Sequence, residues 1–231
     1  VLALNIAQVG SHDGAAVVID VMRAYTVAAL ALEAGASKIV LVAELEDALR
    51  SKDADPGSLA FQDGAPVPGF DLANSPEMLR DLDLAGRNIY QRTTAGTRGA
   101  LAARRCRPLF CASFASASAT ARALRSVDDR EIAFVITGND GRAEEDRACA
   151  EFIDALVRNP ASRPERYLER ARQSDSAHRL NSAAAKGYAG VHPADVRRCL
   201  DVDAVNFAMR AEIERGDLVL RKVEAGEPIG R

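Results

Sequence analysis

The sequence predicts an α/β fold: three layers, α/β/α, around a largely parallel or mixed sheet. Short runs rich in Val and Ile alternate with stretches of Ala, Leu and charged residues, the composition helices prefer. A chain of 231 residues with 48% hydrophobic content can bury one sizeable core without staples. Parallel strands need crossovers, which are usually helical, so the alternation itself argues for a sheet covered on both faces.

In chain order, Ala16 to Asp20 (AVVID) reads as the first clear strand and Tyr25 to Glu33 (YTVAALALE) as the helix after it. Lys38 to Ala43 (KIVLVA) is the second strand, followed by a helix over Leu45 to Ser51. The segment Asp63 to Pro76, DGAPVPGFDLANSP, is a Pro- and Gly-rich connection carrying Asp71 and Asn74. It ends where Ser75 is suited to cap a helix with Pro76 at its first position. Arg87 to Gln91 is a strand leading into a helix over Thr97 to Arg104, and Pro108 to Ala112 is a strand leading into a helix over Ser116 to Arg125. Glu131 to Thr137 (EIAFVIT) and a helix over Ala143 to Arg158 complete the alternation. Beyond Arg158 the composition shifts: Pro160 and Pro164 precede charged, Ala-rich stretches through His178, Lys186 and Arg198. The expected division is a core over residues 1–158 and a helical C-terminal part over 159–231 packed on it.

A formal net charge of -3 with both signs interspersed leaves no basic face for nucleic acid. No apolar run approaches a membrane span, and Val1 to Val9 lacks the features of a signal peptide, so a soluble cytoplasmic protein is expected. Cys106, Cys111, Cys149 and Cys199 never form a CxxC pair, and His12, His178 and His192 are scattered, which argues against zinc. Gly10-Ser11-His12-Asp13-Gly14 has the wrong glycine spacing for a dinucleotide, and no GKS or GKT follows a glycine loop.

Ligands of such folds gather where strands end and helices begin. Asp20 and Arg23 end the first clear strand, Thr93 to Arg98 the third, Ser113 the fourth and Gly138 to Arg142 the fifth. The stretch Arg92-Thr93-Thr94-Ala95-Gly96-Thr97-Arg98-Gly99 joins three hydroxyls, two glycines and two guanidiniums at one turn, which suits an oxyanion. Asp20 reads equally as a metal ligand and as a cap for the helix that follows. Glu144, Glu145 and Asp146 begin a helix, where carboxylates complement the dipole and one or two of them can face a crevice.

Taken together, Val18-Ile19-Asp20-Val21-Met22-Arg23-Ala24, Pro68-Gly69-Phe70-Asp71-Leu72-Ala73-Asn74-Ser75-Pro76, Thr93-Thr94-Ala95-Gly96-Thr97-Arg98, Ser113-Phe114 and Glu145-Asp146 with Cys149-Ala150 resemble the 2-phosphosulfolactate phosphatase family of coenzyme M biosynthesis. The resemblance implies magnesium-dependent hydrolysis of 2-phospho-3-sulfolactate, or a related small phosphorylated acid, to the hydroxy acid and phosphate. It implies Asp20, Arg23, Asp71 and Glu145 as catalytic, and Asp20, Asp71, Glu145 and Asp146 as candidates for Mg2+. Asn74, Thr93, Thr94, Gly96, Thr97, Arg98 and Ser113 would bind substrate. Where the family tends to carry Gly-Gly-Glu-Arg, this chain has Leu59-Ala60-Phe61-Gln62, and Glu151 stands where a glycine is usual. A diverged protein that binds small anions without turnover is therefore the alternative, and oligomerisation is left open, a homodimer included.

Overall fold

The computed structural model describes residues 1–127 and 131–224. From the N-terminus the elements are β1 (Leu2–Leu4), α1 (Ile6–Val9), β2 (Ala16–Ile19), α2 (Ala24–Glu33), β3 (Lys38–Leu41), α3 (Leu45–Ala54), β4 (Leu59–Gln62) and β5 (Asn88–Arg92). There follow α4 (Gly96–Ala102), β6 (Leu109–Ala112), α5 (Ala117–Arg125), β7 (Ala133–Ile136), α6 (Glu144–Arg158), α7 (Glu165–Arg172), α8 (Asp175–Ala185), α9 (Asp195–Cys199), β8 (Ala208–Glu214) and β9 (Asp217–Val223). The α/β class and the five strands and five helices expected in alternation between residues 16 and 158 are present, whereas the helix expected at Pro76 is only a short 3-10 turn, Met78–Asp81, whose Met78 N–H donates to Ser75 Oγ. No helix among the described residues is long and apolar enough to cross a membrane.

Among the described residues one sheet of nine strands runs in the order β1-β7-β2-β6-β8-β9-β3-β5-β4. Along the buried strands successive side chains enter opposite layers, as a period of two requires. Ala16 and Val18 join the apolar cluster that holds Tyr25 and Val27 of α2 and Ala100 of α4. Their neighbours Val17 and Ile19 join the cluster of Ala121 in α5 and Phe152 and Ile153 in α6. Both faces are thus covered, which explains why these strands read as continuous apolar runs rather than alternating ones.

The C-terminal part departs from expectation. It is helical through Cys199, but Ala208–Glu214 and Asp217–Val223 form a hairpin that enters the middle of the sheet, pairing antiparallel with β6 on one side and β3 on the other. The reason is visible in the sequence: Met209, Ala211, Leu218 and Leu220 recur every second residue and are almost fully buried. Arg215 and Gly216, both at positive φ, make the tight turn between the strands. Residues 225–231 of the expected helical part lie outside the described residues. β1 and β4 were also unexpected, being runs of only 3 and 4 residues.

Following the pairings, β1, β7, β2 and β6 run one way and β3, β5 and β4 the other, with the hairpin absorbing the reversal. β2 and β5 stand five positions apart in the sheet, about 24 Å if it were flat at the usual strand spacing. Yet a methyl group on Gly96, just past β5, would lie 2.7 Å from the carboxylate of Asp20, just past β2. The twisted sheet therefore curls until the ends of its two oppositely running blocks meet, and that meeting place holds the candidate site.

Candidate active site

Asp20 follows β2 directly, and its Oδ1 accepts the Ala24 N–H at 3.1 Å, so it caps the start of α2. It is 7% exposed. Burial pushes its pKa up to about 6 despite the Ala24 amide, and the nearby Glu145 and Asp63 carboxylates push the same way. Gly96 is packed so closely over Asp20 and the Ala24 methyl group that no side chain fits. Tyr25 donates its hydroxyl to the Gly96 carbonyl at 2.7 Å, tying α2 to α4.

The first turn of α6, after β7, supplies the other two carboxylates. Asp146 Oδ1 accepts the Val21 N–H at 2.9 Å and Oδ2 accepts the Gly138 N–H at 3.1 Å, stitching the ends of β2 and β7 together. Burial, then Asp20 and Glu145, raise its pKa well above the ordinary carboxylate value. Gly138 leaves no room for a methyl group, which would meet Ala143 at 2.6 Å. Glu145 is 3% exposed, and its carboxylate makes no hydrogen bond to the described residues. Three acidic groups in one buried neighbourhood repel one another unless a proton or cation intervenes.

Arg23, also at the start of α2, is 8% exposed. One nitrogen, Nη1, donates to the Gly190 carbonyl at 2.8 Å and to Asp195 Oδ2 at 2.9 Å. Its Nε and Nη2 donate to nothing among the described residues. Asn74, at a φ of 55°, accepts from Gln91 Nε2, which also donates to the Ala24 carbonyl. The Gln91 Oε1 atom is buried without a partner.

Several residues singled out from the sequence are engaged elsewhere. Asp71 does not join the carboxylates: it pairs with Lys52 at 2.8 Å and accepts the Ala60 N–H at 2.8 Å on β4, the outermost strand. Ser113 is fully buried and accepts the Ala115 N–H, capping a turn rather than facing a ligand. Thr93 and Thr97 are buried and bonded to each other, with Thr93 Oγ1 accepting the Thr97 N–H at 2.9 Å. Thr94 is exposed and donates its amide and hydroxyl to Asp63. Arg98 is exposed and makes no ion pair or hydrogen bond to the described residues. The turn thus spends the Thr93 and Thr97 hydroxyls on its own shape and the Thr94 hydroxyl on Asp63, since backbone amides leaving the strand must find partners.

Asp63 and Asp195 went unread in the sequence. Asp63 directly follows β4, whose four-residue run LAFQ is too short to declare a strand and so gives the carboxylate no strand-end signal. Asp195, fully buried in α9, lies 172 residues from Arg23 and carries no local signal.

The family model for 2-phosphosulpholactate phosphatase matches residues 4–211. A protein of Bacillus subtilis named "Probable 2-phosphosulfolactate phosphatase" is 33% identical over 143 residues, 61% of this chain and 63% of that protein. One of Thermus thermophilus with the same name is 39% identical over 134 residues, 58% of this chain and 56% of that protein. A third, of Thermotoga petrophila and likewise so named, is 32% identical over 177 residues, 74% of this chain and 77% of that protein. The chain therefore spans less than two thirds of the first two relatives. The matched segment takes in both blocks of the sheet and every carboxylate of the crevice, and by that match the chain belongs to the 2-phosphosulpholactate phosphatase family.

Proposed function

We propose that this chain is a magnesium-dependent phosphoric monoester hydrolase that converts 2-phospho-3-sulfolactate, or a related small phosphorylated acid, to the hydroxy acid and inorganic phosphate. The observation that carries this reading is the convergence of Asp20, Glu145 and Asp146 in one buried neighbourhood at the start of α2, the helix turn that also carries the half-satisfied Arg23. An acidic cluster alone repels a phosphoester, and a cation alone does not hydrolyse one. Together they suit a polyanion bound through a divalent ion.

The donor set fits magnesium in one respect and limits it in another. Among the described residues no three Asp, Glu, His or Cys side chains form a ready cage for a cation. Magnesium, however, commonly takes one or two carboxylates and completes its shell with water and substrate phosphate. Asp20 and Glu145 would hold it, since Asp146 spends an oxygen on each of two backbone amides. When bound, the ion would offset the charge of the phosphate oxygens.

The chain's own groups do the rest. Arg23 offers Nε and Nη2 to an anion from a fixed position, and Arg98, exposed and unpaired among the described residues, is available to a second acidic group of the substrate. Asp146 holds the Val21 and Gly138 amides, so the two strand ends keep their spacing during turnover. Burial raises the pKa of Asp20 to about 6 in the metal-free chain, and a bound cation would keep the carboxylate ionised as a ligand that orients water.

Phosphate release from 2-phospho-3-sulfolactate, with magnesium and with a chelator, tests the proposal; release is expected with magnesium alone. The second reading, anion binding without turnover, is favoured by Phe61 and Gln62, both buried in β4, with Gln62 Nε2 donating to the Ala65 carbonyl. That reading stands instead if no small phosphoester is hydrolysed while phosphate still raises the melting temperature.

A further inference from the structure

We infer that Asp195 is the positioning residue for Arg23, and that the C-terminal part thereby sets the anion affinity of a site whose other groups all come from the N-terminal two thirds of the chain. The Asp195 carboxylate is fully buried and has four donors around it. Ser75 Oγ donates to Oδ1 at 2.6 Å and the Glu77 amide to the same oxygen at 3.3 Å. Arg23 Nη1 donates to Oδ2 at 2.9 Å and the His192 amide at 3.0 Å. A buried carboxylate with its lone pairs filled is a rigid anchor, and a guanidinium whose Nη1 is held by it and by the Gly190 carbonyl keeps its Nε and Nη2 hydrogens in a fixed orientation.

The other hold on Arg23 is the Gly190 carbonyl. Gly190 sits at a φ of 87°, and a methyl group there would meet the Ala73 side chain at 2.7 Å and the Gly64 carbonyl at 3.0 Å. One contact thus comes from the connection between α8 and α9 and the other from the first residue of α9, both clamped against the loop of residues 64–75. Arg23 spends only Nη1 on them. Asn at position 195 cannot replace the carboxylate: with its oxygen kept by Ser75 and Glu77, its amide group would set donors against the donors of Arg23 and His192.

This inference rests on the hydrolase reading only in taking Arg23 as an anion ligand, so the deciding measurement is binding rather than turnover. Affinity for inorganic phosphate is measured by calorimetry in the wild type, Asp195→Asn, Arg23→Ala and the double variant. Asp195→Asn is expected to weaken phosphate about tenfold, the ordinary worth of one charge-assisted hydrogen bond, and to change affinity less than about twofold once Arg23 is gone. Should Asp195→Asn fail to fold, Ser75→Ala, which removes one donor and keeps the charge, takes its place; a loss of about threefold confined to the Arg23 background is expected. Equal losses with and without Arg23, no loss in either, or phosphate binding indifferent to Arg23→Ala would overturn the inference. A protein that shows the coupling but hydrolyses nothing refutes the hydrolase reading and leaves the role of Asp195 in place.

Discussion

Asp20 and its neighbours make the metal-free protein sensitive to pH in an unusual direction. A carboxyl whose pKa is raised by folding holds its proton longer in the native state than in the unfolded chain, so folding is favoured at low pH. For Asp20 that advantage fades as pH rises from the unfolded value of 3.8 through about 6 and is gone above. At about 1.4 kcal/mol for each pH unit between the two states, the loss is of order 3 kcal/mol. Urea melts across pH 4–7 without divalent ions should show it, and Asp20→Asn should flatten the curve. Glu145→Gln removes a buried charge that lacks a hydrogen bond, so its metal-free form should be at least as stable as the wild type. Magnesium should raise the melting temperature of the wild type and leave Glu145→Gln unmoved; an equal rise in both would remove Glu145 from the cation site. Asp71→Asn should keep its phosphatase rate within about twofold while costing about 1 kcal/mol through the lost Lys52 pair and Ala60 bond. A rate collapse in that variant would return Asp71 to the site.

At the scale of elements, the site is made by two glycines that let strand ends approach. Gly96→Ala places a methyl group 2.7 Å from both Asp20 Oδ2 and Ala24 Cβ, a clash between packed groups with no flexible tail to yield. It should cost about 1–3 kcal/mol in a thermal melt and lower phosphate release at least tenfold. Gly10→Ala, which meets nothing closer than 4.0 Å, is the matched control and should do neither. The turn after β5 was legible as a special junction from its glycines and threonines. Its hydroxyls, however, turn inward: Thr93 and Thr97 bond each other, and Thr94 is taken by Asp63. Residue types at a turn declare that donors are present, whereas the direction in which each points depends on partners that for Thr94 lie 31 residues away.

Across the whole molecule, the hairpin of β8 and β9 is the keystone of the sheet, since it joins two blocks that run in opposite directions. Met209 and Leu220 are fully buried within it, and its removal would expose the edges of β6 and β3 as well as the core between them. A chain ending at residue 206 should therefore lose its cooperative unfolding transition and aggregate, as judged by circular dichroism and size-exclusion chromatography. A cooperative melt near that of the full chain would show that the core folds without the hairpin.

The amino-acid pattern was enough to reveal the α/β class, the strands and helices between residues 16 and 158 apart from β4, and the family, because apolar period and turn chemistry are local properties written in consecutive residues. It also placed Asp20, Glu145, Asp146 and Gly96 at element ends, where ligands bind. Only the folded chain decided that Asp71 stays with Lys52, that Asp63 holds Thr94 and Asp195 holds Arg23, and that the ends of β2 and β5 meet. Those outcomes follow from the reversal of strand direction at the hairpin and from the curl of a twisted sheet, which sum small rotations over many strands and leave no trace in any one stretch of sequence.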